Sequence, residues 1–307
     1  MSFLSTENLG KIYPNGVEAV KSLNLRIDRG EVYGLIGPNG AGKSTTIRVL
    51  MGILEPTTGT VRFDGKPGID LSRTGYLPEG ANFYRFMTIG EYLEWSCSLY
   101  DLPDCDKNIE ESLNTVGLEN LVERKLDEIS KGQKQRVGIA QALVHDPDML
   151  VLDEPTSGLD PMGKKKILGI IKSLADQGKT ILTSSHILPE LSQVCTGVGI
   201  IKDGELVLQG SMADLRKEFA TSRVELGFEA GEEGLIDEIK SLDFVSEVEE
   251  MDGEGKRYVV RITDEGVAKK RLPELVLKSG AVVTYYDFAQ VTLEDIFMET
   301  MEVRDEG

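Results

Sequence analysis

At 307 residues the chain is long enough for one large domain and a smaller one, each with a core of its own. A net charge of -18, with a pI near 4.7, would repel the phosphates that a nucleic-acid binder must neutralise and disfavours a place on anionic lipid held by charge alone. Cys97, Cys105 and Cys195 are an odd number without C-x-x-C spacing, which predicts neither a disulfide framework nor a zinc site and fits a reducing cytoplasm.

No uncharged apolar run approaches the ~18 residues of a membrane span, and the first residues lack the basic-then-apolar pattern of a secretory leader. A role at a membrane would need another chain to cross it. Tyr13 stands in KIYPNG, a loop marked by Pro14, Asn15 and Gly16; its ring either stacks on a base or packs at the loop's foot. Residues 23–27 alternate apolar and polar as a half-buried strand, and Asp28, Arg29 and Gly30 turn the chain into a buried strand at 31–36.

The next stretch, residues 37–45 (GPNGAGKST), matches G-x-x-x-x-G-K-S/T, and 45–51 reads as the helix that follows. Gly37, Pro38, Asn39, Gly40, Ala41, Gly42, Lys43, Ser44 and Thr45 therefore form the candidate phosphate loop. Its glycines let backbone N–H groups approach an anion, Lys43 adds a point charge for the β- and γ-phosphates, and Ser44 offers a hydroxyl to Mg²⁺. A mere glycine turn would need neither Lys43 nor Ser44. Alone, the motif establishes only a nucleoside triphosphate site.

Residues 59–64 and 74–77 read as short strands. From 88 to about 128 apolar residues recur at three- and four-residue steps, which predicts an inserted helical subdomain of about 85–145. His145, near the end of a helix over 134–144, reads as a solvated C-terminal cation. Residues 149–152 are an apolar run ending in Asp153 and Glu154, as in a central parallel strand that delivers carboxylates to a phosphate site. Asp153 would hold Mg²⁺ through water, and Glu154 would orient or deprotonate the attacking water. His186 follows a strand at 180–183 and could hydrogen-bond a γ-phosphate. A strand at 204–209 and a helix at 212–219 lead out of this first domain.

Beyond it the expected succession is strand 222–229, helix 234–242, strands 245–252 and 256–263, helix 266–280, strand 281–288 and helix 292–301. This βαββαβ order, plus a terminal helix, is that of a ferredoxin-like α+β domain. It holds no Cys or His, and its acidic stretches read as solvated faces.

The run from Ile129 to Asp160 resembles the ATP-binding cassette (ABC) family. Its signature appears as Ile129, Ser130, Lys131, Gly132 and Gln133, its Mg²⁺-binding strand as 149–153 followed by Glu154, its D-loop as 157–160 (SGLD), and its switch histidine as His186. With Tyr13 and the phosphate loop, these motifs stand in the family's order over residues 1 to about 215. The resemblance implies an α/β P-loop ATPase domain (1–215) with an inserted helical subdomain, followed by the C-terminal accessory domain (216–307). It further implies ATP and Mg²⁺ as cofactors, and a head-to-tail homodimer in which Ser130, Gly132 and Gln133 close over ATP held by the other copy. Ser130 and Gln133 read equally as a capping box.

Two positions depart from the commonest pattern. Lys131 replaces the first signature glycine, and Glu79 stands where a Mg²⁺-facing glutamine is usual. Both resemble export ATPases that serve separate membrane subunits, including multidrug, antibiotic and sodium efflux systems. The reading is an ATPase subunit on the inner face of the cell membrane, cytoplasmic, powering a separate permease and binding no nucleic acid. The alternative, a soluble ABC ATPase acting on a protein or nucleic-acid machine, fits less well with a single cassette, no coiled-coil insertion and the acidic charge. A P-loop small-molecule kinase would carry no signature.

Overall fold

Two compact units, Met1–Met212 and Ala213–Gly307, make up the chain. The computed structural model describes residues 2–305 apart from 81, 82, 85, 101, 103, 220, 221, 233, 252–255, 290 and 291. Arg85, at the start of the expected helical subdomain, and the end of the acidic stretch at 252–255 thus lie outside the described residues.

The first unit opens with β1 (Leu4–Ile12), β2 (Glu18–Leu23) and β3 (Arg26–Ile27), then β4 (Val32–Ile36) and helix α1 (Lys43–Leu50). The single strand expected at 23–27 is divided. Leu23, Leu25 and Ile27 do all face the core, but Val20 pairs with Lys11 at one end of β1 and Ile27 with Leu4 at the other. Ser22 takes φ 43 and the Asn24 side chain accepts from Asn8 N–H at 2.8 Å, which turns the backbone between the two pairings. β5 (Thr58–Phe63) and β6 (Lys66–Pro67) complete this antiparallel sheet, in the order β2-β1-β5-β6.

β7 (Thr74–Leu77) leads into an inserted helical block of α2 (Ile89–Cys97), α3 (Cys105–Val116) and α4 (Lys131–Leu143). Thr88 and Glu91 form a capping box at α2, and Asp104 caps α3. The helical periodicity read through 128 stops earlier, because Gly117 adopts φ 66 and ψ 48, the left-handed C-cap that ends α3; beyond it lies only a short turn at Glu119–Leu121. α4 starts at Lys131, three positions before the expected 134, because Ser130 caps it.

After the insertion come β8 (Met149–Asp153), α5 (Pro161–Asp176), β9 (Thr180–Ser185), α6 (Leu188–Leu191), β10 (Gly197–Lys202), β11 (Glu205–Ser211) and α7 (Met212–Glu218). The main sheet runs β11-β10-β4-β9-β8-β7, parallel except for the antiparallel edge strand β11. Every residue of β4, β8 and β9 is buried, which is why β4 and β8 read as near-continuous apolar runs rather than alternating ones, whereas β9 also buries hydroxyls. Their C-terminal ends lie side by side, with β9 between the other two.

Two expectations are overturned here. Cys97 and Cys105 form a disulfide, their Cα atoms 6.0 Å apart. The bend between α2 and α3 brings together cysteines whose spacing matched no motif. His145 is buried rather than solvated, its ring stacked on Tyr100 at 4.1 Å and 4° between planes. Asp146, at φ 49, turns the chain after α4 inward, and burial pushes the imidazole's pKa down.

The second unit takes α7 from Ala213 onward and continues with β12 (Ser222–Ala230), α8 (Leu235–Lys240), β13 (Val245–Met251), β14 (Lys256–Ile262), α9 (Glu265–Ser279), β15 (Val282–Ala289) and α10 (Leu293–Asp305). Its sheet is antiparallel, in the order β13-β14-β12-β15. This is the ferredoxin-like arrangement that the βαββαβ succession predicts, with Val224, Leu226, Phe228, Val260, Ile239 and Leu272 in its core.

Candidate nucleotide site

β4 ends at Ile36 and the chain wraps into the phosphate loop before α1 begins at Lys43. Gly42 sits at φ 105, and a Cβ there would strike the carbonyl of Ala19; only glycine lets the loop close this tightly. Lys43 is 6 % exposed, and its Nζ donates to the carbonyls of Gly37 at 2.7 Å and Pro38 at 3.2 Å. It also lies 3.6 Å from Oε1 of Glu154, itself 7 % exposed. The loop lysine is thus held at the site's mouth by carbonyls and a carboxylate, a negative set that a phosphate resembles.

β8 delivers the two acids. Asp153 Oδ1 accepts from Ser44 Oγ at 3.3 Å and from Ser184 Oγ at 2.6 Å, while its buried Oδ2 has no partner among the described residues. Glu154 takes φ 50, and its carboxylate meets His186 Nδ1 at 3.0 and 3.2 Å. His186, just beyond β9, is thereby drawn to the acid pair. One cavity of about 420 Å³ is lined by Asn39, Gly40, Gly42, Lys43, Ser44, Thr45, Glu79, Glu154 and His186, together with Ala19 and Ser157. Tyr13 reaches this site through its hydroxyl, 3.2 Å from Thr45 Oγ1, without lining the cavity itself. Pro38 and Ala41 serve the loop's own frame, the Ala41 N–H donating to the Pro38 carbonyl at 3.2 Å.

The signature residues lie elsewhere. Ser130, Gly132 and Gln133 line a separate cavity of about 360 Å³ with Lys131, Arg136, Gly158, Leu159, Asp160 and Lys166. The capping box is present: Ser130 Oγ accepts from Gln133 N–H at 3.2 Å and Gln133 Oε1 accepts from Ser130 N–H at 2.8 Å. A Cβ on Gly132 would meet nothing closer than Leu159 Cδ2 at 3.9 Å, an ordinary contact. Packing within this chain therefore does not require a glycine there.

The donor set suits Mg²⁺. A buried carboxylate oxygen without a partner stands beside a serine hydroxyl, both hard oxygen donors, and among the described residues no cluster of His, Cys, Asp and Glu forms a complete metal cage. Mg²⁺ takes few protein ligands and completes its shell with phosphate oxygens and water. Ser184 and Ala19 are the neighbours that motif reading did not nominate, and Ser157, the first D-loop residue, lines the same cavity. Ser184 had one signal, a hydroxyl-bearing run (183–185, TSS) inside an otherwise apolar buried strand.

A phosphate loop, an acid pair and a histidine gathered at the C-terminal edge of a buried parallel sheet, with helices inserted between β7 and β8, define a P-loop nucleoside triphosphatase. Residues 20–157 match the ABC transporter family, and residues 210–301 match the C-terminal domain of DrrA1-3-like ATP-binding proteins. YxlF of Bacillus subtilis, an uncharacterized ABC transporter ATP-binding protein, is 35% identical over 97% of this chain and 99% of its own length. The bacitracin transport ATP-binding protein BcrA of Bacillus licheniformis is 34% identical over 97% of both chains. Among solved structures, the cbiO1 subunit of the cbiONQ ABC transporter complex from Clostridium perfringens aligns with TM-score 0.63 and 33% identity, over 71% of this chain and 91% of that one. The dimeric bacterial ABC transporter cassette MJ0796 aligns with TM-score 0.63 and 28% identity, over 68% and 98%. The chain belongs to the ABC transporter ATP-binding proteins: it is an ATPase and the ATP-binding subunit of a transporter.

Proposed function

We propose that this chain powers an exporter, by ATP-driven closure of a head-to-tail homodimer that moves a separate membrane-spanning permease. The observation that carries the reading is the separation of the phosphate loop and the signature into two cavities of one chain, with Gly132 left open beyond what its own packing needs. A second copy, turned head to tail, would bring its signature over the first copy's phosphate loop, and the first copy's signature would serve the second in return. The existence of a solved cassette in dimeric form supports this arrangement. Export is supported by relatives named for bacitracin and lantibiotic transport. Among the described residues no helix is long and apolar enough to cross a membrane, so the permease is assigned to another chain and this subunit to the cytoplasmic face.

In this reading the phosphate-loop amides and Lys43 bind the triphosphate, and Tyr13 stands at the base. Ser44 and Asp153 hold Mg²⁺, with Glu79 facing the same cavity. A bound Mg²⁺ supplies charge neutralisation on the transferring phosphate. Glu154 orients the attacking water and accepts its proton, and His186, already paired with Glu154, is placed to touch the γ-phosphate as well as to hold that carboxylate. Mixing Lys43→Ala protein with Ser130→Arg protein tests the shared sites. Each heterodimer regains one complete site, so the mixture should hydrolyse ATP where neither parent does. A mixture no more active than its parents would refute composite sites.

A further inference from the structure

We propose that Ser184 is a positioning residue for hydrolysis, a single hydroxyl that sets the metal-holding and the water-directing acid in one geometry. It rests on the reading above of Asp153 and Glu154. Ser184 is fully buried on β9, directly across the parallel ladder from Asp153 on β8. Its Oγ accepts from the Glu154 backbone N–H at 2.9 Å and donates to Asp153 Oδ1 at 2.6 Å. A serine hydroxyl carries one proton, so that proton is committed to Asp153 while a lone pair takes the Glu154 amide.

Each bond fixes a different thing. Glu154 sits at φ 50, a left-handed backbone that residues with a Cβ adopt rarely, and its buried N–H needs an acceptor. Ser184 provides it, and so fixes the backbone from which the Glu154 carboxylate reaches His186 and Lys43. On Asp153, Oδ1 is shared by Ser44 and Ser184, whereas Oδ2 is buried and unpartnered. Ser44 is the hydroxyl assigned to the metal. Once it turns away, Ser184 is the one hydrogen-bond partner among the described residues left to keep the Asp153 carboxylate from rotating, with Oδ2 as its open face. The neighbouring hydroxyls do not share this task. Strand alternation points Thr183 and Ser185 to the opposite face, and Ser185 Oγ accepts from Ile187 N–H at 2.9 Å.

Ser184→Ala removes one oxygen and adds no atom, and Ser184→Thr keeps the hydroxyl. Outer hydrogen-bond partners of metal-holding groups are worth about 10- to 100-fold in affinity or activity. Ser184→Ala should therefore lower kcat about 10- to 100-fold and raise KM for ATP, measured with Mg²⁺, by no more than about tenfold. Calorimetry of ATP binding with and without Mg²⁺ gives a readout apart from turnover. Affinity without Mg²⁺ should match the parent, the Mg²⁺-dependent gain should shrink about tenfold, and Ser184→Thr should restore most of both. A kcat within about twofold of the parent with the full Mg²⁺ gain would overturn the proposal. So would equal losses with and without Mg²⁺, the pattern of a general packing defect. Glu154→Gln measured alongside separates the two ideas: if it hydrolyses ATP normally, the reading of the acid pair fails, whereas an inactive Glu154→Gln beside an unaffected Ser184→Ala removes Ser184 alone.

Discussion

Replacing Glu154 by Gln keeps the side chain's size and removes its charge, and two effects of opposite kind follow. The carboxylate holds Lys43 at 3.6 Å, with both side chains nearly buried. At an effective dielectric of about 20 that attraction is worth about 4 to 5 kcal/mol gross, most of which offsets the desolvation of the two groups. A triphosphate must draw Lys43 away from Glu154, so the neutral variant should bind ATP more tightly, by about tenfold or ~1.4 kcal/mol. The same change removes the group that directs water. General-base assistance contributes about 10²- to 10⁴-fold, or about 3 to 5 kcal/mol of barrier, so single-turnover phosphate release should slow by that factor. Tight binding with slow hydrolysis should make an ATP-dependent dimer accumulate on a sizing column. Hydrolysis within a few-fold of the parent, or ATP binding no tighter, would refute the reasoning.

The buried His145 predicts a pH dependence of stability. An imidazole ordinarily titrates near 6.5, and burial pushes His145 below that value, so the unfolded chain takes up the proton first. The associated stability is complete above about 6.5 and is lost as pH falls through that value toward the depressed folded one. Denaturant midpoints at pH 7.5 and 5.5 should therefore diverge less for His145→Phe, which keeps a ring against Tyr100; equal divergence in both proteins would dismiss the idea. The Cys97–Cys105 disulfide spans a sequence separation of 8, and closing so short a loop is worth about 2 to 3 kcal/mol by loop entropy. Dithiothreitol should lower unfolding stability by that amount, and an unchanged midpoint would count against a closed pair. Burial pushes the Cys195 thiol up to about 12, so iodoacetamide should label the half-buried Cys105 after reduction but spare Cys195 until the chain unfolds. Labelling of native Cys195 would contradict its burial.

Local chemistry makes much of this protein legible in its sequence. The residues 37–45 motif, the apolar run ending in Asp153 and Glu154, and the Ser130–Gln133 capping box each draw their meaning from neighbours a few positions away, which is the range over which strand period, helix caps and turn residues operate. The βαββαβ order likewise led to the ferredoxin-like sheet, because right-handed, short connections leave few ways to pair four such strands. What sequence could not supply depends on contacts between distant segments. Ser184 meets Asp153 only because β9 inserts between β4 and β8. His145 looked like a solvated helix-end cation until the turn at Asp146 carried it against Tyr100, some 45 positions back in the chain. Cys97 and Cys105 matched no spacing rule because the bend between two helices, not a motif, sets their distance. The first strand, β1, and the strand β10 went unnamed for the same reason: their pairings, with β5 and with β4, join segments far apart along the chain. Covalent neighbours determined which chemistry this chain carries; the tertiary fold decided which of those groups touch, since a hydrogen bond between strands 30 residues apart leaves no periodic trace in either strand.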